Sequence, residues 1–214
     1  GSILGSRINT IEGIRYIHFV LPGILMMNVL TSAFSQSSSS VYFQRFVRNI
    51  EEMLVAPLSH AEMIIGYLAG AVARAVVIGI GILVIGLAFN AVSLYNLPIF
   101  LFYIIGVSVI FGLLGIIIGL WSNSFEQLNL LNTFVLMPLS FLGGMFNSVQ
   151  MLPDYLRIFA YFNPLLYFND GARYSMTGFH ETNLMVGAGM IIVLAVVLFL
   201  IVWRLFETGW KLRT

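Results

Sequence analysis

Asp154, Asp170 and Glu181 fall within one aromatic-rich stretch, where paired carboxylates could do general acid–base work on a sugar. The same acids can instead cap helices and order loops beside the prolines and asparagines around them. His18, His60 and His180 could ligate a metal, but they lie on separate segments with no carboxylate at ligand spacing, so interfacial positions are expected. Ser37 to Ser40 and Ser59 could act as nucleophiles. No Gly-x-Ser-x-Gly turn and no His–Asp pair accompanies them, so a hydrolase is unsupported. With no cysteine there is no thiolate chemistry and no disulfide. The only lysine is Lys211, and no Gly-x-x-x-x-Gly-Lys occurs, so any work driven by ATP needs hydrolysis on another polypeptide.

These side chains must be positioned by elements of unusual composition. Of 214 residues, 59% are hydrophobic, against roughly 45–50% in soluble domains, and 9% are charged. The expected fold is an all-α membrane protein, a polytopic helical bundle forming a single transmembrane domain over residues 1–214. Five spans are expected, over residues 17–40, 61–89, 97–120, 128–145 and 184–206. The third is uncharged, and the fourth contains Pro138, Gly143 and Gly144 and is expected to kink. A net charge of +1 without a dense basic patch argues against nucleic acid as a partner.

Polar residues inside the runs mark surfaces that do not face lipid. The serines of residues 35–40, Ser37 and Ser38 among them, and Asn129, Asn132 and Thr133 of the fourth run either line a pathway or pack helices together. In the second run Glu62, Gly66, Gly70 and Arg74 recur every four residues on one helical stripe. Gly66 and Gly70 give a small-residue packing signal. Arg74 is then a pathway or subunit-interface residue, or a structural arginine capped by backbone carbonyls or snorkelling to an interface. Residues 150–173 are too polar to cross and too aromatic to lie free in water. Two short interfacial helices are expected, broken at Pro153 and at Asn163-Pro164, with Tyr155 and Phe159 in the acyl boundary and Arg157 and Arg173 reaching headgroups.

Residues 43–59 form a charged amphipathic stretch between two long apolar runs. Phe46, Ile50, Met53 and Leu54 recur at helical spacing, Arg45, Arg48, Glu51 and Glu52 supply polar faces, and Pro57 ends the pattern. This reads as a short docking helix outside the bilayer, or as a connector lying on the interface.

Leu21-Pro-Gly-Ile-Leu-Met-Met27, Phe43-Gln-Arg45, Asn49-Ile-Glu-Glu-Met-Leu-Val-Ala-Pro-Leu-Ser59, Phe141-Leu-Gly-Gly-Met-Phe146, Asn163-Pro-Leu165 and Gly171-Ala-Arg173 occur in this order. In these motifs the chain resembles, over essentially its whole length, the membrane subunit of type-2 ABC exporters (ABC-2 type permeases). The resemblance implies a multi-pass protein of the bacterial cytoplasmic (inner) membrane that moves an amphipathic substrate, a glycolipid, polysaccharide or drug-like molecule. It makes residues 43–59 a cytosolic coupling helix in which Phe43, Arg45, Phe46, Arg48, Asn49, Glu51, Glu52, Leu54 and Pro57 meet an ATPase. It makes residues 150–173 an extracellular lid carrying Pro153, Tyr155, Phe159, Asn163, Pro164 and Arg173. The implied partners are two copies of an ATP-binding-cassette ATPase, a second permease copy in a homodimer, and membrane lipids. No cofactor is expected on this chain, with ATP and Mg on the partner ATPase. The resemblance also implies an amphipathic helix and a further span before Gly1, six spans in all. Gly1 is not an initiator methionine, and residues 1–15 lack a signal-peptide pattern. Two other readings remain open from the residues alone: a stand-alone channel or secondary carrier in which Arg74 and Glu62 handle an ion, and a membrane enzyme using Asp154 and Asp170 on a lipid-linked sugar.

Overall fold

The structure, a computed structural model, describes residues 10–11, 14–47, 59–146 and 148–211. A two-residue antiparallel pairing of β1 (Thr10–Ile11) with β2 (Ile14–Arg15) precedes α1 (Tyr16–Phe46). Then follow α2 (His60–Ala88), α3 (Leu97–Trp121), α4 (Phe125–Leu131) and α5 (Met137–Leu142), the last two joined by a π-helical turn at Asn132–Leu136. A 3-10 turn at Val149–Met151 leads to α6 (Asp154–Phe162), α7 (Pro164–Thr177) and α8 (Leu184–Thr208). Among the described residues four helices, α1, α2, α3 and α8, are long and apolar enough to cross a membrane.

Local signals set the helix ends. Ser59 and Glu62 form a reciprocal capping box, with Glu62 Oε2 accepting the Ser59 N–H at 2.7 Å and Ser59 Oγ accepting the Glu62 N–H at 3.3 Å. Asn96 caps α3 through the Ile99 N–H, and Asn183 caps α8 through the Met185 N–H.

The centre of the bundle is α1 against α3, where backbones approach over glycine. A Cβ added at Gly115 would lie 2.5 Å from the Phe34 carbonyl, and one at Gly119 would lie 2.7 Å from that of Ser38. Gly115→Val is therefore expected to force the helices apart and cost about 1–3 kcal/mol. Gly66→Val, which meets nothing within 4 Å, should leave the isolated chain unaffected. Thermal unfolding midpoints in detergent compare the two, and equal losses would contradict the close packing of α1 on α3 at Gly115. Outside this centre, α2 and α8 expose rows of large apolar side chains, among them Val77, Val84 and Ile85 on one and Ile192, Val193 and Val196 on the other. Such rows suit lipid contact.

The fourth predicted run differs from a simple kinked span. Helical structure begins at Phe125, ends at Leu142, and is broken ahead of Pro138 by the π turn. Pro138 lacks an N–H, and its ring would collide with the Phe134 carbonyl in a regular α-helix, which the wider turn relieves. The broken helix runs antiparallel to α1. At one end the Phe125 ring lies edge-on to Tyr42 with centroids 4.5 Å apart, and at the other Gly23 packs on the Met145 backbone. At 1.5 Å per residue, positions 125 to 142 make a rod of about 27 Å, close to the hydrocarbon thickness.

The expected docking helix is also partly revised. Phe43, Arg45 and Phe46 continue α1, since neither Gly nor Pro interrupts the chain there. Arg48, Asn49, Glu51, Glu52, Leu54 and Pro57 lie outside the described residues.

Candidate functional site

Two regions gather polar side chains. The first is a seam between α1 and the broken helix, where Ser35, Ser38 and Ser39 face Leu128, Asn129 and Asn132, with Phe34 closing one side. The space between them fits about one water molecule. The Asn132 Oδ1 is buried there without a protein hydrogen bond, and Asn132 opens the π turn. Every side chain in the seam is uncharged. Neutral donors and acceptors in such a seam are met by water or protein, because lipid tails offer no hydrogen bond.

The seam joins residues of runs one and four that the sequence marked as polar: Ser38, Asn129 and Asn132. Two of the expected residues lie elsewhere. Ser37 is fully buried beside Gly112 and Gly115 of α3, with its Oγ unpartnered, so it packs helices. Thr133 is exposed on the outside of the rod. Beside the serines, Gln36 Oε1 accepts a hydrogen bond from Arg74 at 2.6 Å, so among the described residues Arg74 is held by a neutral side chain and not by backbone carbonyls. Its whole stripe is exposed. Nothing among the described residues covers Gly66 or Gly70, so their packing signal is not used there.

The second region is a knot at the other end of α1. Arg173, fully buried, donates through Nε to the Phe19 carbonyl at 3.2 Å and through Nη2 to that of Gly144 at 2.6 Å, while its guanidinium stacks over the Phe19 ring at 3.7 Å. It pairs with Asp170 at 3.5 Å. Asp170 also accepts the backbone N–H groups of Glu181 and Thr182 and the Thr182 hydroxyl. Burial pulls the Arg173 pKa below its ordinary value, and the charges of Asp170 and Glu181 act against this. Asn169 donates to the Gly143 carbonyl and Asn163 to that of Leu139. Gly144 supplies the left-handed backbone (φ 70°) that the turn needs. Gly171 packs directly under the Tyr103 ring, whose hydroxyl donates to the Leu184 carbonyl.

This knot corrects the expected lid. Arg173 does not reach headgroups, and Asn163 is buried, because Arg173 holds the Phe19 and Gly144 carbonyls and Asn163 adds a second hydrogen bond to the Leu139 carbonyl, which also accepts the Gly143 N–H. Tyr155 and Phe159 remain exposed on α6, together with Ile158 and Phe162, as an interfacial helix requires. Pro153 and Pro164 sit at the starts of α6 and α7. The carboxylates are committed to structure: Asp170 as above, Glu181 to the Val149 N–H, Asp154 to Arg157. Asp154, whose side chain is 97% exposed, and Asp170, at 0%, should therefore differ as single-cysteine variants. Asp154→Cys is expected to react with an impermeant thiol reagent on intact cells and Asp170→Cys to stay protected, with equal labelling counting against the knot. Tyr103 and Asn169 were not marked in the sequence, since a lone aromatic in an apolar run carries no signal.

A family model described as ABC-2 type transporter matches residues 1–177. The chain is 36% identical to "Inner membrane transport permease YadH" of Escherichia coli (strain K12) over 214 residues, covering 100% of this chain and 84% of that protein. It is 27% identical to "Nodulation protein J" of Rhizobium leguminosarum bv. viciae over 206 residues, 94% of this chain and 78% of that one. No solved structure matches. The order of apolar helices, the knot that joins three of the recognised motifs, and these matches agree, and the chain belongs to the ABC-2 type transporter family as a multi-pass inner-membrane protein.

Proposed function

We propose that the chain is the membrane-spanning permease subunit of an ATP-driven exporter, acting as a homodimer with two copies of a separate ATPase that carries ATP and Mg. The observation that carries this reading is the uncharged polar seam between α1 and the broken helix, in a transporter-family chain whose only lysine, Lys211, sits in no nucleotide-binding loop. The broken helix is the fifth crossing. Residues 43–59 meet the ATPase on the cytosolic side, and α6 lies at the outer interface, where Tyr155 and Phe159 touch an amphipathic substrate as it leaves. ATP drives such a cycle only if the ATP-bound partner binds one arrangement of the spans more tightly than another. The exposed stripe from Glu62 to Arg74 suits contact with the second copy. Purification of the tagged chain from its native membrane tests the reading. The expected result is an associated nucleotide-binding subunit with vanadate-sensitive hydrolysis. Isolation alone, with ion flux through ATP-free vesicles, would point instead to a channel or carrier.

A further inference from the structure

The last carbonyls of α3 have no partners within their own helix and collect at the end opposite the knot. The Ser122 N–H takes that of Ile118. Arg45, at the end of α1, takes those of Gly119, Leu120 and Ser122 through one terminal nitrogen, at 3.1, 2.7 and 3.1 Å. Lys211, beyond α8, takes that of Trp121 at 2.8 Å. Two cations thus saturate the negative end of one helix dipole. The grip of α1 extends past the helix end. The Tyr42 hydroxyl donates to the Asn123 carbonyl at 3.3 Å, and its ring packs edge-on against Phe125, the first residue of α4. Between the two helices lies only the joint of Ser122, Asn123 and Ser124, where Gln127 Oε1 accepts the Asn123 N–H and Ser124 caps α4. The helix that starts there carries Asn129 and Asn132 into the seam.

We infer that Arg45 is a positioning residue that locks the end of α1 to the α3–α4 joint, so that displacement of the segment following α1 is passed to the broken helix and opens or closes the seam. This rests on the permease reading, in which residues 43–59, the stretch that contains Arg45 and runs on beyond α1, are where the ATPase presses. Lys211 caps the same helix end from another element and carries no such displacement.

The test uses membrane vesicles holding the chain with its ATPase and Asn129→Cys as reporter, in a chain with no native cysteine. The reading is the labelling rate with a water-soluble maleimide, with and without ATP plus vanadate. The expected change is about tenfold in the otherwise unaltered chain and with K211Q, and under about twofold with R45Q. R45K, which keeps the charge but not the planar fork, should give an intermediate response and serves as the test if R45Q fails to assemble. A full response in R45Q, or in R45K where that is the test, overturns the relay. Equal loss in R45Q and K211Q also overturns it, since capping alone would then explain the effect. No ATP response in the unaltered chain overturns the permease reading itself and the relay with it.

Discussion

Arg173→Ala is expected to lose about 3–5 kcal/mol, enough to remove most of the folded chain from the membrane, since total stabilities are about 5–15 kcal/mol. The loss has three parts. The Phe19 and Gly144 carbonyls lose their donor, Asp170 is left as a buried charge without its cation, and the cavity beside the Phe19 ring stays unfilled. Arg173→Lys should fail nearly as badly, because one ammonium cannot span the Phe19 and Gly144 carbonyls while lying flat on a ring. Asp170→Asn should be milder, about 1–3 kcal/mol, since its amide oxygen still accepts the N–H groups of Glu181 and Thr182. Heat-induced loss of monodisperse protein in detergent ranks the three. If Arg173→Ala falls within about 1 kcal/mol of the unaltered chain, the knot is ornamental and the correction of the lid fails with it.

Reversing both Glu51 and Glu52 to lysine should affect function as strongly while leaving the bundle intact. Four charges packed into positions 45–52 of a chain with 9% charged residues mark a docking face, and like charges set against a partner cost several kcal/mol. The expected result is a drop of about a hundredfold or more in ATPase copurification with no change in the chain's own unfolding midpoint. Each glutamate alone should matter less, because contacts at the rim of an interface contribute modestly. Unaltered copurification in the double variant would detach the coupling role from this segment.

The fold was largely legible because its determinants are local. Apolar runs and the Asn163-Pro164 break act within a few residues of themselves, while the equally local caps at Ser59, Asn96 and Asn183 emerged only with the structure. What escaped depends on pairing at long range. The glycines of the second and third runs look alike in sequence, yet Gly115 and Gly119 meet α1 while Gly66 and Gly70 meet nothing among the described residues. Arg173 resembles Arg157 as an arginine in an aromatic stretch, but its partners are 154 and 29 residues away in sequence. The seam was half visible. Serines in one run and asparagines in another announce polar faces, but only the packing of α1 against the broken helix decides that Ser38 joins them while Ser37 turns to α3. Arg45 was marked for docking outside the bilayer. Its role as a cap appears only once the end of α3 is placed beside it.

The central claim is that this chain works by meeting an ATPase through residues 43–59 on the cytosolic face. A photo-crosslinking amino acid at position 52, activated in intact cells, tests it most directly. The expected result is a covalent adduct between this chain and a nucleotide-binding ATPase subunit, unaffected by impermeant quenchers outside the cell. Absence of that adduct, with position 52 instead labelled by an impermeant reagent added outside, would contradict both the orientation and the coupling role.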